Sequence, residues 1–133
     1  MSSVADGNGH AAGAAYDTLS RLTRITDPLG DKTQFAYDTV GNLVGITDAN
    51  GHAILYGYDA VNDLTAVTDA LGHVTQYAYD ANNNRTSFTN AKGASTAYTY
   101  DAVNRLVRVT DPLNLVTSYI YDAVGNVMSV TDP

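Results

Sequence analysis

Shifted by 21 residues, the chain falls on itself: Tyr-Asp meets Tyr-Asp at Tyr16, Tyr37, Tyr58, Tyr79, Tyr100 and Tyr121, without insertion or deletion. Ten residues after each tyrosine stands Thr26, Thr47, Thr68, Thr89, Thr110 or Thr131, followed by Asp27, Asp48, Asp69, Asn90, Asp111 or Asp132. A second aromatic column, Phe35, Tyr56, Tyr77, Tyr98 and Tyr119, precedes each later Tyr-Asp by two residues, and all 10 tyrosines fall in these two columns. Pro28, Pro112 and Pro133 share one column; Gly30, Gly51, Gly72 and Gly93 share the one two places on. A fixed period of this length means that each unit buries itself against its neighbours, so the architecture is a repeat array.

Each unit reads as a β-hairpin. In Leu43–Tyr56 two β-rich runs flank Asp48-Ala49-Asn50-Gly51, an Asp-x-x-Gly turn. In Asp27-Pro28-Leu29-Gly30, Asp suits the first turn position, Pro presets φ at the second and Gly tolerates φ > 0 at the fourth. Asp27, Pro28, Gly30, Asp48, Gly51, Asp69, Gly72, Gly93, Asp111 and Pro112 are therefore assigned as structural turn residues. The other connection starts at each Tyr-Asp and reaches Ser20, Gly41, Asn62, Asn83, Asn104 or Gly125, where Gly and Asn enter the left-handed region most cheaply. The predicted fold class is all-β: tandem antiparallel hairpins forming a twisted, curled sheet strip, about 55 Å wide for some twelve strands.

Residues 1–15 read as a degraded half-repeat, because Val4-Ala5-Asp6-Gly7-Asn8-Gly9-His10 matches Ile46–His52 in spacing; residues 16–133 read as one continuous domain of six repeats. The units are 16–36, 37–57, 58–78, 79–99, 100–120 and a partial 121–133, as expected of a piece of a longer array. An odd unit of 21 residues flips every column to the other face unless each unit contains one register-changing element, either unequal turns or a bulge. With a three-residue loop ending on the glycine, Ile25 and Val109 share a face with Phe35, Tyr37, Tyr119 and Tyr121, and the opposite face is expected to carry Leu22, Arg24, Gln34 and Ala36, with Leu43, Leu64 and Leu106 beside Leu22.

The charge of −7 leaves no basic surface to neutralise phosphates, so neither nucleic acid nor anionic lipid is an expected partner. With no cysteine there is no disulfide framework and no thiol nucleophile, and no apolar run approaches the roughly 20 residues of a spanning helix. Membrane insertion is not expected. Residues 1–15 lack the basic start and apolar stretch of a secretory signal.

The columns Tyr-Asp-Ala-x-Gly/Asn-Asn/Arg-Leu and Thr-Asp-Pro/Ala-x-Gly resemble the YD, or RHS, repeats of bacterial toxin-shell and insecticidal toxin-complex proteins, from about Val4 to Pro133. The fourth unit departs most, with Asn82, Asn83, Asn84, Arg85 and Asn90. The resemblance implies a non-enzymatic structural segment, the wall of a β-shell that encloses or displays a toxin domain. It also implies a bacterial protein, secreted or at the cell surface, exported by something outside this segment. Its partners are then neighbouring repeats, further copies through open sheet edges, and an enclosed toxin domain. The self-cleaving core of the family starts Asp-Pro-x-Gly, which Asp27–Gly30 matches and Asp111–Asn114 matches in part, but no Gly-Gly follows, so no cleavage activity is carried over.

Other site readings are blander. Successive aspartates of the column Asp17, Asp38, Asp59, Asp80, Asp101 and Asp122 stand two strand spacings apart, roughly 10 Å, too far to share a calcium ion, so they read as turn caps. His10, His52 and His73 follow turn glycines without convergent ligands, which argues against zinc. Tyr37, Tyr58, Tyr79 and Tyr100 are the candidate binding residues of an alternative reading, an adhesin or carbohydrate- or protein-binding module, against the simpler reading of repeated packing. Self-association through edge strands is a further alternative. No catalytic residue, metal site or cofactor is expected: Ser2, Ser3 and Ser20 are isolated, and Gly7-Asn8-Gly9 precedes no helix.

Overall fold

The structure is a computed structural model that describes residues 2–5 and 11–133. The half-repeat turn at 6–10, with His10, lies outside the described residues. Among the described residues 13 strands form one antiparallel sheet in which order in space equals order in sequence. After β1 (Ser2–Ala5) and β2 (Ala11–Tyr16), five-residue and six-residue strands alternate. The five-residue class is β3 (Leu22–Thr26), β5 (Leu43–Thr47), β7 (Leu64–Thr68), β9 (Arg85–Thr89), β11 (Leu106–Thr110) and β13 (Val127–Thr131). The six-residue class is β4 (Lys32–Tyr37), β6 (Ala53–Tyr58), β8 (Val74–Tyr79), β10 (Ser95–Tyr100) and β12 (Val116–Tyr121).

Both kinds of turn have one construction. In the Thr-Asp turn 27–31 the N–H of Asp27 donates to the carbonyl of Asp31 at 2.9 Å and that of Gly30 to the carbonyl of Asp27 at 3.0 Å. In the Tyr-Asp turn 59–63 the equivalent bonds are Asp59 to Asp63 at 3.0 Å and Asn62 to Asp59 at 3.2 Å. The fourth residue is left-handed in every case, with φ +91° at Gly30 and +70° at Asn62. This is the three-residue hairpin loop whose twist suits right-twisted strands. Asn at 62, 83, 104 and 114 supplies that conformation without glycine, and Ser20 adopts it at φ +61°.

Since the turns are equal, the odd residue lies elsewhere. Where β4 meets β5, Ala36 stands opposite Gly45 but Tyr37 opposite Leu43, so one residue of β5 has no opposite number. The same shift recurs at Tyr16, Tyr58, Tyr79, Tyr100 and Tyr121. One bulge per unit is therefore the register-changing element.

The bulge corrects one expectation. Leu22, Leu43, Leu64 and Leu106 do not join Arg24 and Gln34; they stand opposite Tyr16, Tyr37, Tyr58 and Tyr100. Arg85 occupies the same column, and its guanidinium lies 4.9 Å from the centroid of Tyr98 and 6.0 Å from that of Phe88. One face thus gathers leucines, β-branched residues and both aromatic columns; Ile25 shares it opposite Thr33, as the assumed loop requires. The other face is small and polar along its middle, with Gly45, Ala66 and Ser87 on the five-residue strands and Ala36, Gly57 and Ala78 on the six-residue strands. Gly45 lies close to its neighbours there: a Cβ would make ordinary contact with Leu55 Cδ2 at 3.4 Å and Ala36 Cβ at 3.6 Å.

No apolar side chain among the described residues is fully buried. In β8 and β10 exposed residues alternate with half-buried ones, the latter being Thr75, Tyr77, Tyr79, Thr96, Tyr98 and Tyr100. The accessible surface is 8849 Å², against about 6,700 Å² for a compact protein of this 14.1 kDa mass. Cohesion comes from ladders and cross-strand pairs, each pair contributing roughly 0.2–1 kcal/mol.

Candidate functional site

Two features recur with the repeat and carry most of the side-chain chemistry: the tyrosine face and the margin formed by the Tyr-Asp turns. On the face, three of the Tyr-Asp tyrosines are tied at their tips. The hydroxyl of Tyr58 donates to the Leu43 carbonyl at 3.0 Å, Tyr100 to Arg85 at 3.0 Å and Tyr121 to Leu106 at 2.7 Å. Each bond spans two paired strands and ends on the bulge-side residue. Arg21 lies over the Tyr37 ring at 4.9 Å and Arg105 over Tyr121 at 4.7 Å, and Tyr77 packs tilted on Phe88 at 5.7 Å. Burial pushes the phenol of Tyr79 upward, and the negative field of Asp63 adds to it. Of the candidate binding residues, Tyr37, Tyr58, Tyr79 and Tyr100 all lie half-buried in this one row, their rings or hydroxyls engaged by their own neighbours where contacts are seen.

In the turns each leading carboxylate folds back on the backbone. Asp27 Oδ1 accepts from Leu29 N at 2.8 Å and Asp31 N at 2.9 Å, and Asp48, Asp69 and Asp111 do the same in their turns. Asn90 performs the role with its amide oxygen, accepting from Lys92 N and Ala94 N. Gly51, Gly72 and Gly93 are left-handed at φ +85°, +84° and +81°. Pro28 and Pro112 occupy the second turn position, where their fixed φ fits and no N–H is needed. His52 and His73 turn their Nδ1 to Asp48 and Asp69 of the same turn at 3.0 and 2.9 Å. No cluster of three His, Cys, Asp or Glu able to hold a metal ion exists among the described residues.

The Tyr-Asp margin contains a set of contacts that the sequence reading did not foresee. The fifth turn position reads Arg21, Asn42, Asp63, Asn84, Arg105 and Asn126. Arg21 Nε donates to Asp17 Oδ2 at 2.7 Å and its Nη1 reaches the Asp38 carbonyl of the next turn at 3.0 Å. Asn42 Nδ2 bridges Asp38 Oδ2 at 2.9 Å and Asn62 Oδ1 at 2.8 Å. Asn84 bridges Asp80 and Asn104 at 3.0 and 2.7 Å, and Arg105 bridges Asp101 and the Asp122 carbonyl at 2.7 and 3.2 Å. Between the third and fourth turns the direction reverses, with Asn83 Nδ2 donating to Asp63 Oδ1 at 3.3 Å. Every neighbouring pair of Tyr-Asp turns is thus laced by one side-chain bond. The recurrence of Arg or Asn at five of the six positions of this 21-residue column was the available signal.

These bonds favour the ionised carboxylates. The N–H of Arg21, then its guanidinium, hold Asp17 below the ordinary aspartate range. The side-chain amides of Asn84 and Asn126, then their backbone N–H groups, do the same for Asp80 and Asp122. At Asp38 lost hydration pushes upward, but the N–H and amide of Asn42 outweigh it. Asp101 is lowered chiefly by the N–H of Arg105. On the other margin the N–H and ring of His52 lower Asp48, and the ring and N–H of His73 lower Asp69.

The fold and these two features define a class: a single-layer strip of laterally zipped β-hairpins, each unit cohering only with its neighbours. Residues 16–53, 58–95, 84–113 and 100–133 match the RHS Repeat pattern, and the chain belongs to that family. No curated protein matches the chain. Among solved structures it is similar to a chain of the Photorhabdus luminescens Tc holotoxin pore carrying TccC3-D651A, with TM-score 0.60 and 24% identity over 77% of this chain and 5% of that one. It is similar also to TcdB2-TccC3 without its hypervariable C-terminal region, with TM-score 0.60 and 19% identity over 96% of this chain and 7% of that one. For TcdB2-TccC3-TEV the values are 0.62, 14%, 92% and 8%. At these identities the likeness is one of fold, and this chain spans less than a tenth of each of those chains.

Proposed function

We propose that the chain is a structural, non-enzymatic wall segment that encloses or displays a toxin domain in a bacterial protein working outside the cell. The observation that carries the reading is the single-layer sheet itself, with 8849 Å² accessible where a free-standing compact domain of this size exposes about 6,700 Å². A wall needs lateral continuity and two faces, and this strip supplies both without a closed core. Its recurring side-chain bonds tie the strip to itself: tyrosine hydroxyls to strand carbonyls, turn carboxylates to turn N–H groups.

Limited proteolysis of the protein that carries this segment tests the reading. A domain enclosed by the wall resists protease until the repeats unfold; digestion of that domain as fast as in isolation refutes enclosure. Glycan binding by this chain that is lost on substituting Tyr37, Tyr58, Tyr79 and Tyr100 by Ala would instead favour the adhesin reading.

A further inference from the structure

We propose that the third Tyr-Asp turn, Asp59–Asp63, is a soft seam at which the laced margin flexes. Three observations meet there. In five of the six Tyr-Asp turns the fifth residue is Arg or Asn and donates to the Oδ2 of its own leading aspartate at 2.7–3.0 Å. In the third turn that residue is Asp63, and an ionised carboxylate has nothing to donate to Asp59. Second, Asp63 Oδ2 is withdrawn from solvent and has no hydrogen-bond partner. Third, the link onward to the fourth turn is made from the far side, by Asn83, and at 3.3 Å it is the longest in the lace.

Two carboxylates thus stand where every other turn of this margin has a carboxylate and a donor. Mutual repulsion and an unpartnered oxygen both disfavour the closed turn. The Asp59 and Asp63 fields also add to the burial that raises the Tyr79 phenol, which places the same negative charge against the tyrosine face of the next unit. The backbone bonds of the turn, Asp59 N to Asp63 O at 3.0 Å and Asn62 N to Asp59 O at 3.2 Å, remain. The seam therefore opens by loosening without tearing the ladder. It divides the margin into two stiff blocks, turns 17–21 and 38–42 on one side and turns 80–84, 101–105 and 122–126 on the other. A strip so divided bends at a fixed place.

Hydrogen exchange on the whole chain tests this. The amides of Asp59 and Asn62 are expected to be protected about tenfold less than those of Asp80, Asn83, Asp101 and Asn104, the scale of one lost hydrogen bond. Asp63→Asn restores the donor, and protection of the third turn rises to that of its neighbours. Asn84→Asp, the same defect moved one unit on, creates a second exposed turn at Asp80. Equal protection of all the turns in the unmodified chain overturns the proposal, and so does an Asp63→Asn chain, folded by circular dichroism, whose third turn exchanges as before.

Discussion

Replacing Tyr58 by Phe removes one atom from the tyrosine face and leaves its packing intact. The ring stays where it is, half-buried opposite Leu64, while the hydroxyl that donates to the Leu43 carbonyl at 3.0 Å is gone. A net hydrogen bond of this kind is worth about 0.5–1.5 kcal/mol, and Leu43, whose carbonyl is left behind, is only half-buried, which holds the cost near 1 kcal/mol. For a chain of 133 residues, an unfolding entropy of about 2.1 cal/mol/K per residue converts this into a melting point lower by about 3–4 °C. Tyr56→Phe is the control. Its column already holds Phe35 in the preceding unit, so a hydroxyl is dispensable there and the change is expected within about 0.5 kcal/mol of neutral. Urea denaturation followed by circular dichroism measures both. If Tyr56→Phe destabilises as much as Tyr58→Phe, or if Tyr58→Phe leaves the midpoint unmoved, the hydroxyl ties are not what holds the tyrosine column.

Gly51→Ala places a Cβ in open space but at φ +85°, so its cost of about 1–2 kcal/mol is purely conformational; a thermal melt that does not shift would refute the left-handed turn. Asp17, Asp38, Asp48, Asp69, Asp80, Asp101 and Asp122 are all held below their ordinary 3.8 in the fold. Their contribution is therefore complete above the unfolded value and is lost as pH falls through the lower folded values. Urea midpoints are expected to hold down to about pH 5 and fall steeply below about pH 4; midpoints that stay level to about pH 2.5 would contradict the turn geometry.

The fold was legible because the period fixes it. Asp-Pro-x-Gly and Tyr-Asp-x-x-Asn each name a turn, and the runs between them are too short and too β-branched for helices. The face assignment was legible only as far as pairing is regular. Ile25 and Phe35 fell on one face because a left-handed residue closes the loop between them, a choice that Gly30 announces. Leu22 was misplaced because a bulge carries no residue signature of its own: Thr23, Val44, Thr65 and Val107 are ordinary strand residues. The lace was hidden for another reason. Arg21 and Asn42 look unrelated in sequence, and only the strand spacing brings each within reach of both its own aspartate and the next turn.

The two margins of the strip therefore differ in kind. On the Thr-Asp side each turn closes on itself, as His52 does on Asp48 and His73 on Asp69. On the Tyr-Asp side the turns hold one another. A sheet laced along one margin resists fanning there and yields along the other, so its natural deformation is a splay of the Thr-Asp turns rather than a uniform stretch. Twist acts on both margins alike, and the bulges add to it beside the Tyr-Asp turns alone. Stiffening and extra twist are thus concentrated along the same margin. Because every unit repeats the asymmetry in one phase, its effects accumulate along the strip instead of cancelling, and a long array of such units curls in one sense. The same concentration explains why an aspartate matters at position 63: on the Thr-Asp side an unpartnered carboxylate would stay local, whereas on the laced side it stands within a run of inter-turn bonds from Asp17 to Asp122, at the longest link of that run.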